Sequence, residues 1–174
     1  MKTFDPFAVF GLPREYGVDL ADLDRIYLQR SAALHPDMLG EAGFSDLGGD
    51  GSVGGEIAEL NRAKQVLEDP EQRAIALWSL CGGVEDKSLS PGFLMEMMEV
   101  RGEIEAAQQA GDPVAIARWE LWADERRKEY QRRVGGLFAK LGSDTAVNTS
   151  VLKEIKLELN GWRYIERLAE QLHP

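Results

Sequence analysis

The sequence is poor in the residues that build disulfides, thiolate metal cages and histidine-based active sites. Among its 174 residues are one cysteine, Cys81, and two histidines, His35 and His173. A single cysteine excludes an internal disulfide and a thiolate cage, and its surroundings, LWSLCGG, predict a small buried residue at a helix end. Because His173 stands beside the carboxyl terminus, His35 is the histidine that a folded domain is expected to position.

Long apolar runs and an excess of positive charge are also missing. No apolar stretch approaches the ~20 residues that a membrane helix needs, and the start, MKTFDPFAVFGL, is a poor secretory signal. The chain has 30 acidic and 20 basic side chains, of which residues 1–80 hold 14 acidic and 7 basic ones. We therefore expect a cytoplasmic protein that binds neither membranes nor nucleic acid.

Alternating strand patterns are scarce, and apolar residues instead recur three and four positions apart, which predicts an all-α fold. Asp5 and Pro6 begin a short helix that ends at Gly11. Asp19 caps a second helix, which Pro36 must end.

A glycine-rich segment separates this helix from the next. Residues 39–55 contain seven glycines and are predicted to form a flexible loop without a regular element. Apolar residues recur again from Glu56 onward, which predicts a third helix ending at Pro70, and PEQRAIALWSLCGG adds one more short helix.

The remainder of the chain predicts a second domain. After a polar joint at 83–90, three longer helical segments run roughly over 91–110, 113–141 and 146–172. Short connections between long helices imply antiparallel neighbours, hence a three-helix bundle. The predicted organisation is one small helical domain over 1–82, a linker over 83–90 and a bundle over 91–174.

The tripeptide His35-Pro36-Asp37 follows the second helix directly. An enzyme would use His35 as a general base, but side chains two apart around a rigid proline are not set to hydrogen-bond each other. A metal site would need three or four ligands, and beyond this histidine only carboxylates remain. The tripeptide taken alone is also consistent with a plain turn out of a helix.

The order of the segments carries more information than the tripeptide. A short DPF helix, a helix with Tyr27, HPD in the turn and a helix reading AELNRAKQVLEDPEQRA together resemble a J domain, the module by which co-chaperones engage DnaK-type chaperones. FGLP, LEDPEQRAIALWSL and FLMEMMEVRGEIEAA in this order resemble HscB, the J-protein of iron–sulfur cluster assembly, over residues 5–172.

The resemblance implies an adaptor that performs no catalysis and carries no cofactor of its own, the cluster belonging to a scaffold protein. HPD and the second helix would dock on a DnaK/HscA-type chaperone and stimulate its ATP hydrolysis. The chaperone-binding residues would be His35, Pro36, Asp37, Tyr27, Arg25 and Arg30. The sequence departs from the family here, since Arg25 and Arg30 are the only basic residues of the second helix and Met38 replaces a common lysine.

A second surface follows from periodicity alone. At about 100° per residue, Phe93, Met97, Val100, Ile104 and Ala107 share a stripe that must face the bundle core, whereas Leu94, Met95 and Met98 lie off it. The three are either part of a wide buried face or a patch for a partner.

The resemblance favours the patch, because the LME segment of HscB proteins binds IscU, the scaffold for cluster building. The matching residues are Leu94, Met95, Met98 and Glu99, while Gly102 replaces a family glutamate. Tyr164 aligns with a family aromatic and would form the rim of the patch or cover the bundle. Open alternatives are a general J-protein with other clients, a small helical enzyme and a purely structural helical protein.

Overall fold

The computed structural model describes residues 4–34 and 51–172, with side chains from residue 54 onward in the second range. The regular elements in these ranges are all helices, which confirms the all-α prediction. The chain divides into two compact units, Met1–Leu80 and Cys81–Pro174. None of the described helices is both long and apolar enough to cross a membrane.

Seven helices are described. The first unit holds α1 (Pro6–Phe10), α2 (Leu20–Ala33), α3 (Gly51–Glu68) and α4 (Pro70–Leu80). The second unit holds α5 (Phe93–Ala110), α6 (Pro113–Phe138) and α7 (Thr145–Leu172).

Aspartate caps fix where several helices begin. The carboxylate of Asp5 accepts hydrogen bonds from the backbone N–H groups of Phe7 and Ala8, both at 3.1 Å. Asp19 does the same for the first turn of α2, and Asp112 for that of α6. Each cap satisfies N–H groups that have no partner within the helix, a contribution of about 1 kcal/mol.

Helices α2 and α3 run antiparallel, as their cross-contacts show. The Tyr27 hydroxyl donates to Asn61 Oδ1 at 2.8 Å, and Lys64 Nζ lies 3.0 Å from Asp24 Oδ1. The residue number therefore falls on one helix as it rises on the other. The core beneath consists of apolar side chains from α1 to α4, namely Phe7, Phe10, Leu23, Leu60, Ala63, Leu67, Ala74, Leu77 and Trp78.

The second unit is an up-down-up bundle. Arg127 pairs with Glu166 at 2.8 Å and Arg133 with Glu158 at 3.1 Å, so α6 and α7 are antiparallel. The bundle core includes Ile155, Leu159, Trp162 and Ile165, the inward stripe expected for the last helix, each less than 5% exposed.

One ion pair and two hydrogen bonds attach the segment before α5 to the bundle. Glu85 lies 2.8 Å from Lys156 Nζ, and Asn160 Nδ2 donates to the carbonyl oxygens of Asp86 and Ser88, both at 2.9 Å. Much of the segment expected to act as a linker therefore rests against α7.

Two expectations were wrong. Gly51 to Gly55 belong to α3, although residues 39–55 were expected to hold no regular element; residues 39–50 lie outside the described ranges. A glycine costs only about 1 kcal/mol in a helix, so an established helix can extend through a few of them. Cys81 is exposed rather than buried, because α4 ends at Leu80 and Cys81 lies in the turn beyond its buried face.

Candidate partner-binding surfaces

The carboxyl end of α2 is where the chaperone-binding prediction begins. The helix ends at Ala33, and the N–H of Leu34 still bonds to the carbonyl oxygens of Arg30 and Ala32. This agrees with a helix that stops before Pro36. His35, Pro36 and Asp37 themselves lie outside the described residues, so their role stays a prediction.

Tyr27 is held in place by α3. Its hydroxyl donates to Asn61, and Lys64 Nζ lies 5.0 Å from the centre of its ring. The side chain is half-buried. The tyrosine therefore fixes α2 against α3. Asn61, its partner, was not singled out from the sequence, since an exposed asparagine in the middle of a helix gives no signal of its contact across the fold.

The two arginines of α2 both interact within the chain. Arg25 Nη2 lies 3.0 Å from Asp22 Oδ1, one turn earlier on the same helix. Arg30 Nη1 donates to the carbonyl oxygen of Val9 and so joins α2 to the last turn of α1. Both side chains remain exposed. The charge of Arg25 is offset by its neighbour, and Arg30 has a structural contact as well.

On the neighbouring helix, Lys64 is also engaged. It lies 2.6 Å from Glu68 and 3.0 Å from Asp24. The hydrogen bond to Glu68, and then that to Asp24, raise the pKa of Lys64 above its ordinary value. The cationic side chain that α3 presents to α2 is thus already paired with two carboxylates.

The second surface lies on α5 and consists of Leu94, Met95 and Met98, hereafter the α5 patch. These side chains are 50%, 70% and 74% exposed, although each is large and apolar. On the opposite side of α5, Met97, Ile104 and Ala107 are buried. The periodicity prediction of a narrow inward stripe is confirmed, and the alternative of a wide buried face is wrong.

Tyr164 of α7 lies beside the start of α5. Its ring meets that of Phe93 edge to face, with centroids 5.7 Å apart and an angle of 84° between the planes. Both rings are half-buried, and Phe93 directly precedes Leu94. Tyr164 therefore closes the bundle at the end of α5 that carries the patch, and it retains exposed surface there.

Beyond the α5 patch, the exposed side of α5 carries charged and small residues. Glu99 follows Met95 by one turn and is exposed. Gly102 lies one turn beyond Met98, and no atom stands within 4 Å of the position that a Cβ would take. Arg101 pairs with Glu105 at 2.8 Å. The surface beside the patch is consequently acidic at Glu99 and open at Gly102.

The strongly perturbed ionisable groups lie elsewhere. Burial raises the pKa of Tyr16 to about 12, and burial likewise raises the pKa of Tyr130 to about 12. Tyr16 lies against the largely buried Arg73, and Tyr130 stacks on Trp162 with centroids 6.2 Å apart. The raised pKa values of both tyrosines therefore follow from their burial in the packed core. No group of three or more metal-ligating side chains occurs among the residues that the structure describes.

Known proteins resemble this chain over both of its units. A family model described as the HSCB C-terminal oligomerisation domain matches residues 89–173. The chain is 34% identical to a co-chaperone protein HscB homolog of Cupriavidus taiwanensis over 95% of this chain and 96% of that protein.

Solved structures show the same architecture. The chaperone HscB from Vibrio cholerae superposes with a TM-score of 0.76 at 26% identity, covering 97% of this chain and 94% of that one. Human co-chaperone protein HscB has a TM-score of 0.78 at 22% identity, covering 99% of this chain and 82% of that one, a likeness in fold.

Proposed function

The chain belongs to the HscB family of co-chaperones, with a J domain followed by an antiparallel three-helix bundle, and from this membership we propose that it is an adaptor for iron–sulfur cluster assembly. Its bundle binds an IscU-like scaffold, and its J domain stimulates ATP hydrolysis by a DnaK/HscA-type chaperone. Cluster maturation or transfer is promoted by bringing the two together. The protein works in the cytoplasm and catalyses no reaction itself.

The exposure of the α5 patch is the observation that carries this proposal. Leu94, Met95 and Met98 place large apolar surface in water, at 50%, 70% and 74% exposure. A protein partner that covers them gains free energy by the hydrophobic effect, and flexible methionines adapt to its shape. Glu99 and Tyr164 complete the scaffold-binding surface as an acidic group and an aromatic edge.

The chaperone-binding surface is proposed at the end of α2. The contact with the chaperone is made by His35, Pro36 and Asp37. An arginine of the chaperone donates two parallel hydrogen bonds to the Asp37 carboxylate. Tyr27 and Arg30 support this surface because they join α2 to α3 and α1. Arg25 supplies an exposed guanidinium on the same helix.

The two activities belong to different parts of the chain. We assign the J domain to residues 1–82, a linker to 83–90 and scaffold binding to 91–174. A variant at one surface is therefore expected to leave the other activity intact.

Substitution of His35 tests the chaperone half of the proposal. His35→Gln removes the imidazole at the proposed contact, so stimulation of the chaperone's ATPase should fall to background. Circular dichroism and scaffold affinity should stay at wild-type values. Unchanged stimulation by the variant would reject the J-domain mechanism, and loss of helical signal would show that the substitution had acted through folding.

A further inference from the structure

The side of α6 that faces away from the bundle carries exposed apolar side chains. Leu121 lies about 180° around the helix from Tyr130, which is buried in the bundle. Leu121 is 66% exposed, and Val114, two turns earlier on the same side, is 78% exposed. Trp122 follows Leu121 directly and is half-buried, with its ring edge to face on that of Trp119 at a centroid distance of 5.5 Å. Leu121 and Trp122 together form an apolar centre on this side of the helix.

The charged residues of this side are arranged symmetrically about the apolar centre. At about 100° per residue, six exposed residues lie within about 80° of one another and are hereafter called the α6 face, namely Val114, Arg118, Leu121, Glu125, Lys128 and Arg132. Arg118 comes one turn before the centre, and Glu125 comes one turn after it. The α6 face therefore carries a cation on one side of its centre and an anion at the same distance on the other.

Arg118 and Glu125 form no ion pair with any residue that the structure describes. The guanidinium carbon of Arg118 lies 5.6 Å from the centre of the Trp119 ring, a contact that leaves its hydrogen-bond donors unused. Asp124, the neighbour of Glu125, is by contrast paired with Arg127 at 2.7 Å. The guanidinium and the carboxylate beside the apolar centre are therefore able to pair with another molecule.

We propose that the α6 face is the contact between two copies of this chain, with their α6 helices antiparallel and crossing at Leu121 and Trp122. Two-fold symmetry then places Arg118 of each copy beside Glu125 of the other, so that two ion pairs form. The apolar centres of both copies are removed from water, which supplies most of the free energy. A parallel pair of helices would instead place like charges beside each other.

The same alignment gives the ends of the α6 face suitable neighbours. Position 114 of one copy comes opposite position 129 of the other, within one turn of Lys128 and Arg132. The aliphatic stems of these two side chains cover Val114 while their charged ends stay in water. Arg132 also comes beside Asp112 of the other copy, an exposed residue at the start of α6.

Contact along a single pair of helices is a small interface. From Val114 to Arg132 the α6 face is about 27 Å long, and a helix is about 10 Å across, so the contact covers less than the about 800 Å² per partner of a standard interface. We therefore expect a dimer that is half dissociated at about 10–100 μM. At about 1 μM the protein is a monomer.

Sedimentation velocity of the full chain measures the dissociation constant of this dimer. Between about 1 μM and about 500 μM, the wild type should change from monomer to dimer. Leu121→Ala should raise the dissociation constant about tenfold or more, because both copies lose the central contact. The matched control is Leu28→Ala, at a leucine that is 67% exposed in the other unit, and it should leave the constant unchanged.

Charge reversal tests the antiparallel alignment itself. Arg118→Glu places like charges together at two points of the dimer, and so does Glu125→Arg, so each variant alone should dimerise about tenfold more weakly or worse. An equimolar mixture of the two variants has opposite charges at both points and should dimerise about as tightly as the wild type. The double variant with both substitutions should do the same, because its charges are exchanged rather than removed.

Other arrangements of the chain give different results. A wild type that stays monomeric at about 500 μM, a Leu121→Ala variant that dimerises as tightly as the wild type, or an equal loss in Leu28→Ala would overturn the α6 contact. A mixture of the two charge variants that remains monomeric would overturn the antiparallel alignment. Circular dichroism should be the same for every variant, since the exchanged side chains are exposed, and it shows that a loss of dimer is not a loss of fold.

Discussion

Removing two side chains of the α5 patch gives a prediction whose size follows from their exposure. Leu94 is 50% exposed and Met98 is 74% exposed, so a partner can still bury about half of one and three quarters of the other. Complete burial of such a side chain contributes about 2 kcal/mol. The two contacts therefore add about 1 and about 1.5 kcal/mol, and Leu94→Ala with Met98→Ala should weaken scaffold binding about 60-fold.

Titration calorimetry with a purified IscU-like scaffold measures this loss. Because both side chains are exposed, the bundle should unfold at nearly the wild-type temperature, and ATPase stimulation by the J domain alone should be unchanged. The control is Val114→Ala, at a side chain 78% exposed on α6, which should bind as tightly as the wild type. Equal affinity of the double variant, or an equal loss in the control, would refute the role of the patch.

Further predictions concern the stability of the bundle. Gly102→Ala should raise its unfolding midpoint by about 4 °C or more in calorimetry, because nothing stands near the new Cβ and glycine disfavours helix by about 1 kcal/mol. Gly161→Ala should instead destabilise it by about 1–3 kcal/mol, because its Cβ would lie 2.6 Å from the Tyr130 hydroxyl; a higher midpoint would contradict this packing. Burial raises the pKa of Tyr130 to about 12, above about 10 in the unfolded chain. The folded bundle therefore favours the neutral phenol, and the stability that this preference contributes is complete below pH about 10 and is lost as the pH rises toward about 12. Absorbance titration of the wild type should show Tyr16 and Tyr130 ionising late, with a pKa of about 12, and Tyr130→Phe should lose one of these two late phenols. Glu166→Ala should cost about 2 kcal/mol in urea unfolding, since it removes charged hydrogen bonds to Arg127; a cost near zero would show the pair to be dispensable.

Most of the fold was predictable from short-range features of the sequence. Three helix starts are marked by an aspartate whose carboxylate accepts hydrogen bonds from N–H groups no more than three residues later, namely Asp5, Asp19 and Asp112. The end of α1 is marked by Gly11, whose φ of 68° suits glycine. Apolar spacing on α5 also placed Met97 on the inward side and Met98 on the outward side. These features depend on near neighbours in the sequence, so the sequence is sufficient to predict them.

Contacts between residues that are far apart in the sequence could not be predicted from these short-range features. Arg30 donates to Val9, 21 positions away, and Tyr27 donates to Asn61, 34 positions away. Both residues were predicted to serve a partner, and the structure adds a contact within the fold for each. Charge counting on a single helix cannot reveal such contacts, because the partner atoms are a backbone carbonyl and a side-chain amide.

The two wrong expectations have one cause. Gly51 to Gly55 were interpreted from composition, and Cys81 from its apolar neighbours, without knowing where the adjoining helices start and end. Helix ends are set by the balance of a few hydrogen bonds against chain entropy, so composition alone places them poorly.

Complementation between two variants tests most directly whether one molecule joins scaffold and chaperone. His35→Gln keeps the proposed scaffold-binding surface, and the Leu94→Ala and Met98→Ala double variant keeps the proposed chaperone-binding surface. The measurement is the increase in chaperone ATPase rate that added scaffold causes, at a scaffold concentration near the wild-type Kd. The adaptor account predicts that an equimolar mixture of the variants restores none of this increase, whereas recovery of the wild-type increase by the mixture would contradict it.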